Sequence, residues 1–311
     1  MFQELINQLY RYPKSNWKTI QRFGGYISYQ KMLSAQKQMQ KYSAKLPPIL
    51  SHHDGLPIYF LTGKSHLYQT LFCAYSLSKV TTEKIQFTLV DDGSFDDGLI
   101  HQAKQQMPNV RLVLKDEIEK NLEYLLPINE YPYLHHKRKV YPHIKKLTDI
   151  HTIDPNTFKL VLDSDMLFWD EPITILNWLK KPDGCVYMLD CEESYGYDKD
   201  LMKSLCGFEI PKMMNVGAFG FNSAILNWKN IENWSHSLEN QQGASYFLEQ
   251  ALSAMLIANE EKTILDKAEY IVNPNDDNFG TLTHYVDLSK KRYYTSDWKY
   301  FAKAKKPFNK K

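Results

Sequence analysis

Residues 159–172 read KLVLDSDMLFWDEP. Leu160-Val161-Leu162 is a short apolar run of the kind that makes a buried strand, and it ends on Asp163-Ser164-Asp165. Side chains alternate along a strand, so the two carboxylates face the same side. Two anions so placed repel unless a cation sits between them. A hard divalent ion held by carboxylate oxygens, together with substrate phosphates, meets that requirement; a solvated strand end with an Asx-type turn is the plainer alternative.

Outward from this stretch, strand and helix signals alternate. Strands are expected over 57–63 (PIYFLTG), 86–94 (QFTLVDDGS, with its turn) and 110–115 (VRLVLK), with helices over 66–80, 96–107 and most of 136–153. Beyond Asp165, residues 184–190 and 214–223 read as strands and 246–258 as a helix apolar on all sides, hence buried. The segments 269–273 and 283–286 close the apolar series. Such alternation predicts an α/β sheet with ligands at the carboxyl ends of its strands. The expected division is a basic helical arm over 1–54, broken near Pro13 and Gly24-Gly25, a catalytic domain over 55–290 and a basic tail over 291–311.

The composition, 311 residues with 43% apolar, provides ample core and excludes a disordered chain. Four scattered cysteines, Cys73, Cys185, Cys191 and Cys206, include no C-x-x-C pair, which suits a reducing compartment. No signal peptide is expected at the N-terminus, and no window reaches the ~20 apolar residues of a spanning helix. A cytoplasmic protein is the expectation. The net charge of +2 conceals +7 over residues 1–46 and +8 over 290–311, which leaves −13 for the middle. Basic ends suit peripheral contact with an anionic inner membrane face, or solvated arms; the acidic middle argues against a nucleic-acid track.

Five segments in order resemble glycosyltransferases of the GT-A fold, nearest the glycogenin and galactosyltransferase-like branch. VDDGS (90–94) resembles the nucleotide-binding strand end, and VLDSDMLFWDEP (161–172) the D-x-D motif in its apolar setting. MNVGAFGFNS (214–223) resembles the F-N-x-G-x-x-x-x-N strand, LEQALSAML (248–256) an acidic-plus-Gln helix start, and THYVDLSKKRYY (283–294) the late H-[FY]-x-G-x-x-K-P-W segment. Together they span roughly residues 56–300. The resemblance implies a GT-A-type, Rossmann-like mixed α/β sheet flanked by helices, and a hexosyltransferase-type enzyme that moves a sugar from a nucleotide-sugar donor, by family habit UDP-linked, to a hydroxyl acceptor. A glycan, a lipid-linked sugar or a protein would serve as acceptor, as in cell-surface glycan synthesis.

The resemblance also implies roles. Asp165 would bind Mn²⁺ or Mg²⁺ directly, Asp163 would help hold the ion and contact the ribose, and His284 would complete the metal set. Asp91 and Asp92 would face the nucleoside, Thr62 would line the base pocket, and Lys290 or Lys291 would meet the diphosphate. Asn215 and Gly217 would approach the sugar. Glu249 is the candidate general base of an inverting reaction, or a hydrogen-bonding group of a retaining one, and Gln250 stands beside it. Among the cations of HHKRKVYPHIKK (135–146), Lys139 is the candidate for the donor phosphates. Two departures stand out: Asp287 replaces the expected Gly, and Lys290-Lys291-Arg292-Tyr293 replaces K-P-W.

Two rivals carry less of the chain. A haloacid-dehalogenase-type phosphatase also opens on a strand and D-x-D, with Asp276-Asp277 as distal acids, but leaves VDDGS and the 283–294 segment unexplained. A non-catalytic scaffold would not need both Asp163 and Asp165.

Overall fold

The structure, a computed structural model, describes residues 12–275 and 278–302; residues 1–11 of the arm, Asp276, Asp277 and residues 303–311 of the basic tail lie outside them. Its strands are β1 (Leu56–Thr62), β2 (Ile85–Asp91), β3 (Arg111–Val113), β4 (Phe158–Leu162), β5 (Met166–Phe168), β6 (Cys185–Leu189), β7 (Met214–Asn222), β8 (Lys262–Ile264), β9 (Tyr270–Val272) and β10 (Leu282–His284). Seven form one sheet in the order β3-β2-β1-β4-β7-β6-β8, and β5-β10-β9 form a second. Strands β1 to β4 run parallel, whereas β7 is antiparallel to both β4 and β6. The expected mixed α/β sheet is therefore present.

The helices are α1 (Tyr12–Arg22), α2 (Tyr26–Ser43), α3 (Leu67–Val80), α4 (Asp97–Gln106), α5 (Lys115–Leu125), α6 (Pro132–Val140), α7 (Lys145–His151), α8 (Ile173–Lys180), α9 (Lys199–Cys206), α10 (Trp228–Gln242) and α11 (Leu248–Leu256). Because the parallel strands are covered on both faces, they read as continuous apolar runs. Ile58, Phe60, Phe87, Leu89, Leu160 and Leu162 join residues of α3 in the core of one face. Tyr59, Val90, Val161 and Phe219 join residues of α7 and α11 in the core of the other.

Three expectations change. The helix expected over 136–153 is broken, because Pro142 disfavours helical backbone at the residue before it; Tyr141 sits at φ −139°, ψ 80°. The strand expected over 110–115 stops at Val113, and α5 begins at Lys115. The basic arm is not a separate body: α2 buries Met32, Ala35 and Met39, a stripe at helical spacing, in the same core as the sheet. Tyr42 on α2 packs on Phe72 and on Trp298, so this core crosses the expected boundaries at both 54 and 290.

Candidate metal and diphosphate site

Strand β4 delivers Asp163 and Asp165 to the carboxyl edge of the parallel strands. The Asp163 amide donates to Gly217 O at 2.7 Å, and Tyr285 N donates to Asp165 O at 2.9 Å, which ties the acidic turn to β7 and to the end of β10. Pairing of β10 with β5 sets His284 opposite Met166, beside the acidic pair. His284 Nε2 lies 3.6 Å from Asp163 Oδ2 and 3.3 Å from Asp165 Oδ1. The three ligand atoms lie within 4.8 Å of one another. Around an ion with bonds of about 2.1 Å, neighbouring ligands stand about 3.0 Å apart and opposite ones about 4.2 Å, so the set fits a divalent ion.

Each carboxylate divides its oxygens. The remaining oxygen of Asp163, Oδ1, accepts from Lys146 Nζ at 2.9 Å, and Asp165 Oδ2 lies 3.2 Å from Lys290 Nζ. Burial would push Asp165 up, but His284 and Lys290 outweigh it and hold its carboxyl well below the usual carboxylate range. The Asp165 charge in turn holds Lys290 above the ordinary lysine range.

A hydrogen-bond chain orients the imidazole. Asn215 Nδ2 donates to Asp190 Oδ2 at 2.9 Å, and Gly217 N donates to Asn215 Oδ1 at 2.9 Å, so Oδ1 is the oxygen that faces His284 Nδ1 at 3.2 Å. Nδ1 therefore carries a proton, which leaves Nε2 as the nitrogen that would bind an ion held between the carboxylates. A bulge in β7 sets this up: residues 216–218 are extra between the Tyr187–Phe219 and Met188–Asn215 pairs. A Cβ on Gly217 would stand 2.3 Å from the imidazole. Asn215 and Gly217, expected at the sugar, thus serve first to position His284. Asp190, at the end of β6, was missed because its partner lies 25 residues away.

Glu249 opens α11 and is 5% exposed. Its Oε2 lies 3.4 Å from Lys146 Nζ, farther than Asp163 does, so burial prevails and pushes its carboxyl up to about 7. Burial alone would lower Lys146, but Asp163 and Glu249 together hold it above the ordinary lysine range. A carboxyl balanced near neutrality can hold or release a proton in the working range. Gln250 donates from Nε2 to Ser194 O at 2.9 Å.

Other expected residues are placed differently. Thr62 is fully buried, and its hydroxyl bonds Thr70, which bonds Ser164 in the acidic turn, so it braces that turn from within the core. Asp91 is buried with Oδ1 accepting from the amides of Gly93, Ser94 and Phe95, so it caps its own turn, and Asp92 is the more exposed of the two. Lys139 is exposed on α6, with no hydrogen bond or ion pair to the acidic group; the break at Pro142 turns Lys146 inward in its place. Lys291 points away, to Phe23 O at 3.4 Å, which leaves Lys290 as the lysine on Asp165.

No protein-family model matches the sequence, and no curated protein does. Solved structures do. The galactosyltransferase LgtC, in complex with donor and acceptor sugar analogues, aligns at a TM-score of 0.50 and 13% identity over 79% of this chain and 95% of that one. The bifunctional WbbM aligns at 0.49 and 11% over 81% of this chain, which spans about half (51%) of that protein. Mouse xyloside xylosyltransferase 1 aligns at 0.48 and 10%, over 76% and 97% of the two chains. The LgtC alignment shows that this chain has the GT-A fold.

Proposed function

We propose that the protein is a metal-dependent glycosyltransferase that moves a sugar from a nucleotide-sugar donor to a hydroxyl acceptor. The observation that carries this reading is the convergence of Asp163, Asp165 and His284, flanked by Lys146 and Lys290, at the carboxyl edge of the parallel strands in a GT-A fold. Open α/β sheets bind ligands at that edge. Asp163, Asp165 and His284 would hold the ion, and one nitrogen beside two carboxylates suits Mn²⁺ better than Mg²⁺. When bound, the ion supplies positive charge against which the donor diphosphate can leave.

The protein's own groups divide the remaining work. Lys290, released from Asp165 Oδ2, meets the diphosphate as negative charge grows on the leaving group. Lys146 orients the Asp163 carboxylate. Glu249 stands on the far side of Lys146, buried from water, where it takes the acceptor proton or hydrogen-bonds donor and acceptor. Asp92 remains for the nucleoside, and the resemblance favours a UDP-linked donor with a glycan, lipid-linked or protein acceptor. The phosphatase alternative rested on D-x-D and on Asp276-Asp277, which lie outside the described residues, and leaves the role of His284 and Lys290 without an account.

Thermal unfolding with Mn²⁺ and a panel of UDP, GDP, CMP and their sugars tests the reading. A rise with one nucleotide that needs the metal and disappears in Asp165→Ala is expected from ligand linkage. Full transfer by Asp165→Ala, or a shift only with Mg²⁺ and a beryllium fluoride phosphate mimic, would overturn it.

A further inference from the structure

Residues 5–53 contain eight Lys and Arg and no Asp or Glu. Within this acid-free stretch α1 and α2 meet at Gly24-Gly25, both at φ 87°, a left-handed backbone that glycine adopts without strain. The turn is fixed to the body of the protein. Arg22 Nη2 pairs with Asp287 Oδ2 at 2.5 Å, and Lys291 Nζ donates to Phe23 O at 3.4 Å. Phe23 packs inward with Tyr29 at 5.8 Å. On the two helices that meet at this turn, three large apolar side chains are exposed: Trp17 at 59%, Tyr26 at 62% and Ile27 at 72%. Lys18, Arg22 and Lys31 are exposed among them.

We propose that this turn is a docking face for an anionic lipid surface. Cations alone would suit any polyanion, but an aliphatic side chain such as Ile27 gains nothing from phosphate backbones and gains from the acyl boundary. Tryptophan and tyrosine favour the headgroup level, and each Lys or Arg near an anionic leaflet adds attraction that salt screens. No described helix is long and apolar enough to cross a membrane, so the contact is peripheral. Asp287, which holds the turn, lies three residues before Lys290, so docking sets the candidate donor site beside the lipid, where a lipid-linked acceptor would be presented.

Co-sedimentation of the full chain with phosphatidylglycerol-containing and pure phosphatidylcholine vesicles tests the inference, and it needs no nucleotide sugar, so its result is independent of the transferase reading. Expected are binding to the anionic vesicles alone, release at high salt, and at least about tenfold weaker partition for Trp17→Ala/Ile27→Glu and for Lys18→Glu/Lys31→Glu. Exposed positions of this kind leave folding stability within about 0.5 kcal/mol, which thermal unfolding of the variants checks. Equal binding by wild type and Trp17→Ala/Ile27→Glu would overturn the inference. So would binding to heparin or an oligonucleotide without binding to vesicles, or binding to neither.

Discussion

Replacing Gly217 by alanine separates the candidate metal ligand His284 from the fold. The added Cβ would stand 2.3 Å from His284 Cε1, 2.4 Å from Nδ1 and 2.7 Å from Met166 Cε, where ordinary contact begins at 3.4 Å. The backbone cannot retreat easily, since Gly217 O accepts from Asp163 N at 2.7 Å and Gly217 N donates to Asn215. The imidazole must therefore give way by about 1 Å, well beyond the ~0.2 Å that a metal–ligand bond tolerates. Overpacking of this size costs about 1–3 kcal/mol of stability, and loss of the ordered imidazole about 10- to 100-fold in Mn²⁺ affinity. Gly220 supplies the control. On the same strand, its Cβ would stand 2.6 Å from Trp178 Cη2, away from the acidic pair. Mn²⁺ titrations followed by thermal unfolding should give both variants a lowered transition but only Gly217→Ala a weakened ion. Wild-type affinity in Gly217→Ala, or an equal loss in Gly220→Ala, would refute the reasoning.

Other predictions concern cations. Lys146→Met should lower kcat/KM for transfer at least about 100-fold by removing the group that orients Asp163, while Lys139→Ala stays within about twofold. Lys290→Ala should weaken nucleoside diphosphate binding about 10- to 100-fold, the worth of a charge-assisted hydrogen bond, and Lys291→Ala should leave it unchanged by calorimetry. Lys159, fully buried on β4, donates to Asp154 O at 3.0 Å and Ser223 Oγ at 2.6 Å, and burial pushes its pKa down to about 7. The unfolded chain then binds more protons between about pH 7 and 10, so stability rises with pH there, by at most about 1.4 kcal/mol per unit, and is flat below. Urea unfolding at pH 7 and 9 should show this rise in wild type and not in Lys159→Met; an equal pH dependence in both would count against it.

The acidic turn was legible because its signal is local: an apolar run and two carboxylates at strand spacing. His284 and Lys290 were legible only through the order of distant segments. Lys146 was not, since Lys137, Arg138, Lys139, Lys145 and Lys146 look alike in sequence and Pro142 decides which turns inward. The capping role of Asp91 was not legible because a strand-end carboxylate that caps its own turn has the same neighbours in sequence as one facing a ligand. Asn215 and Gly217 were recognised as special residues, but the Asp190 to His284 chain that explains them joins three elements distant in sequence. Glu249 stood out as an acid in an apolar helix, and the structure adds its partner.

The β4–β7 pair is fastened twice. At one end Lys159 reaches Ser223, which His151 also meets at 2.8 Å; at the other Asp163 N reaches Gly217 O. Between these two fastenings lie four steps of β4, about 13 Å of extended chain. The pair therefore works as a fixed gauge block for the candidate metal ligands: loops on either side can lengthen freely, but one residue gained or lost inside the interval would put either the buried lysine or the acidic turn out of reach. Insertion scanning along the chain should find its sharpest intolerance here, where Leu160, Val161 and Leu162 are buried inside the sheet.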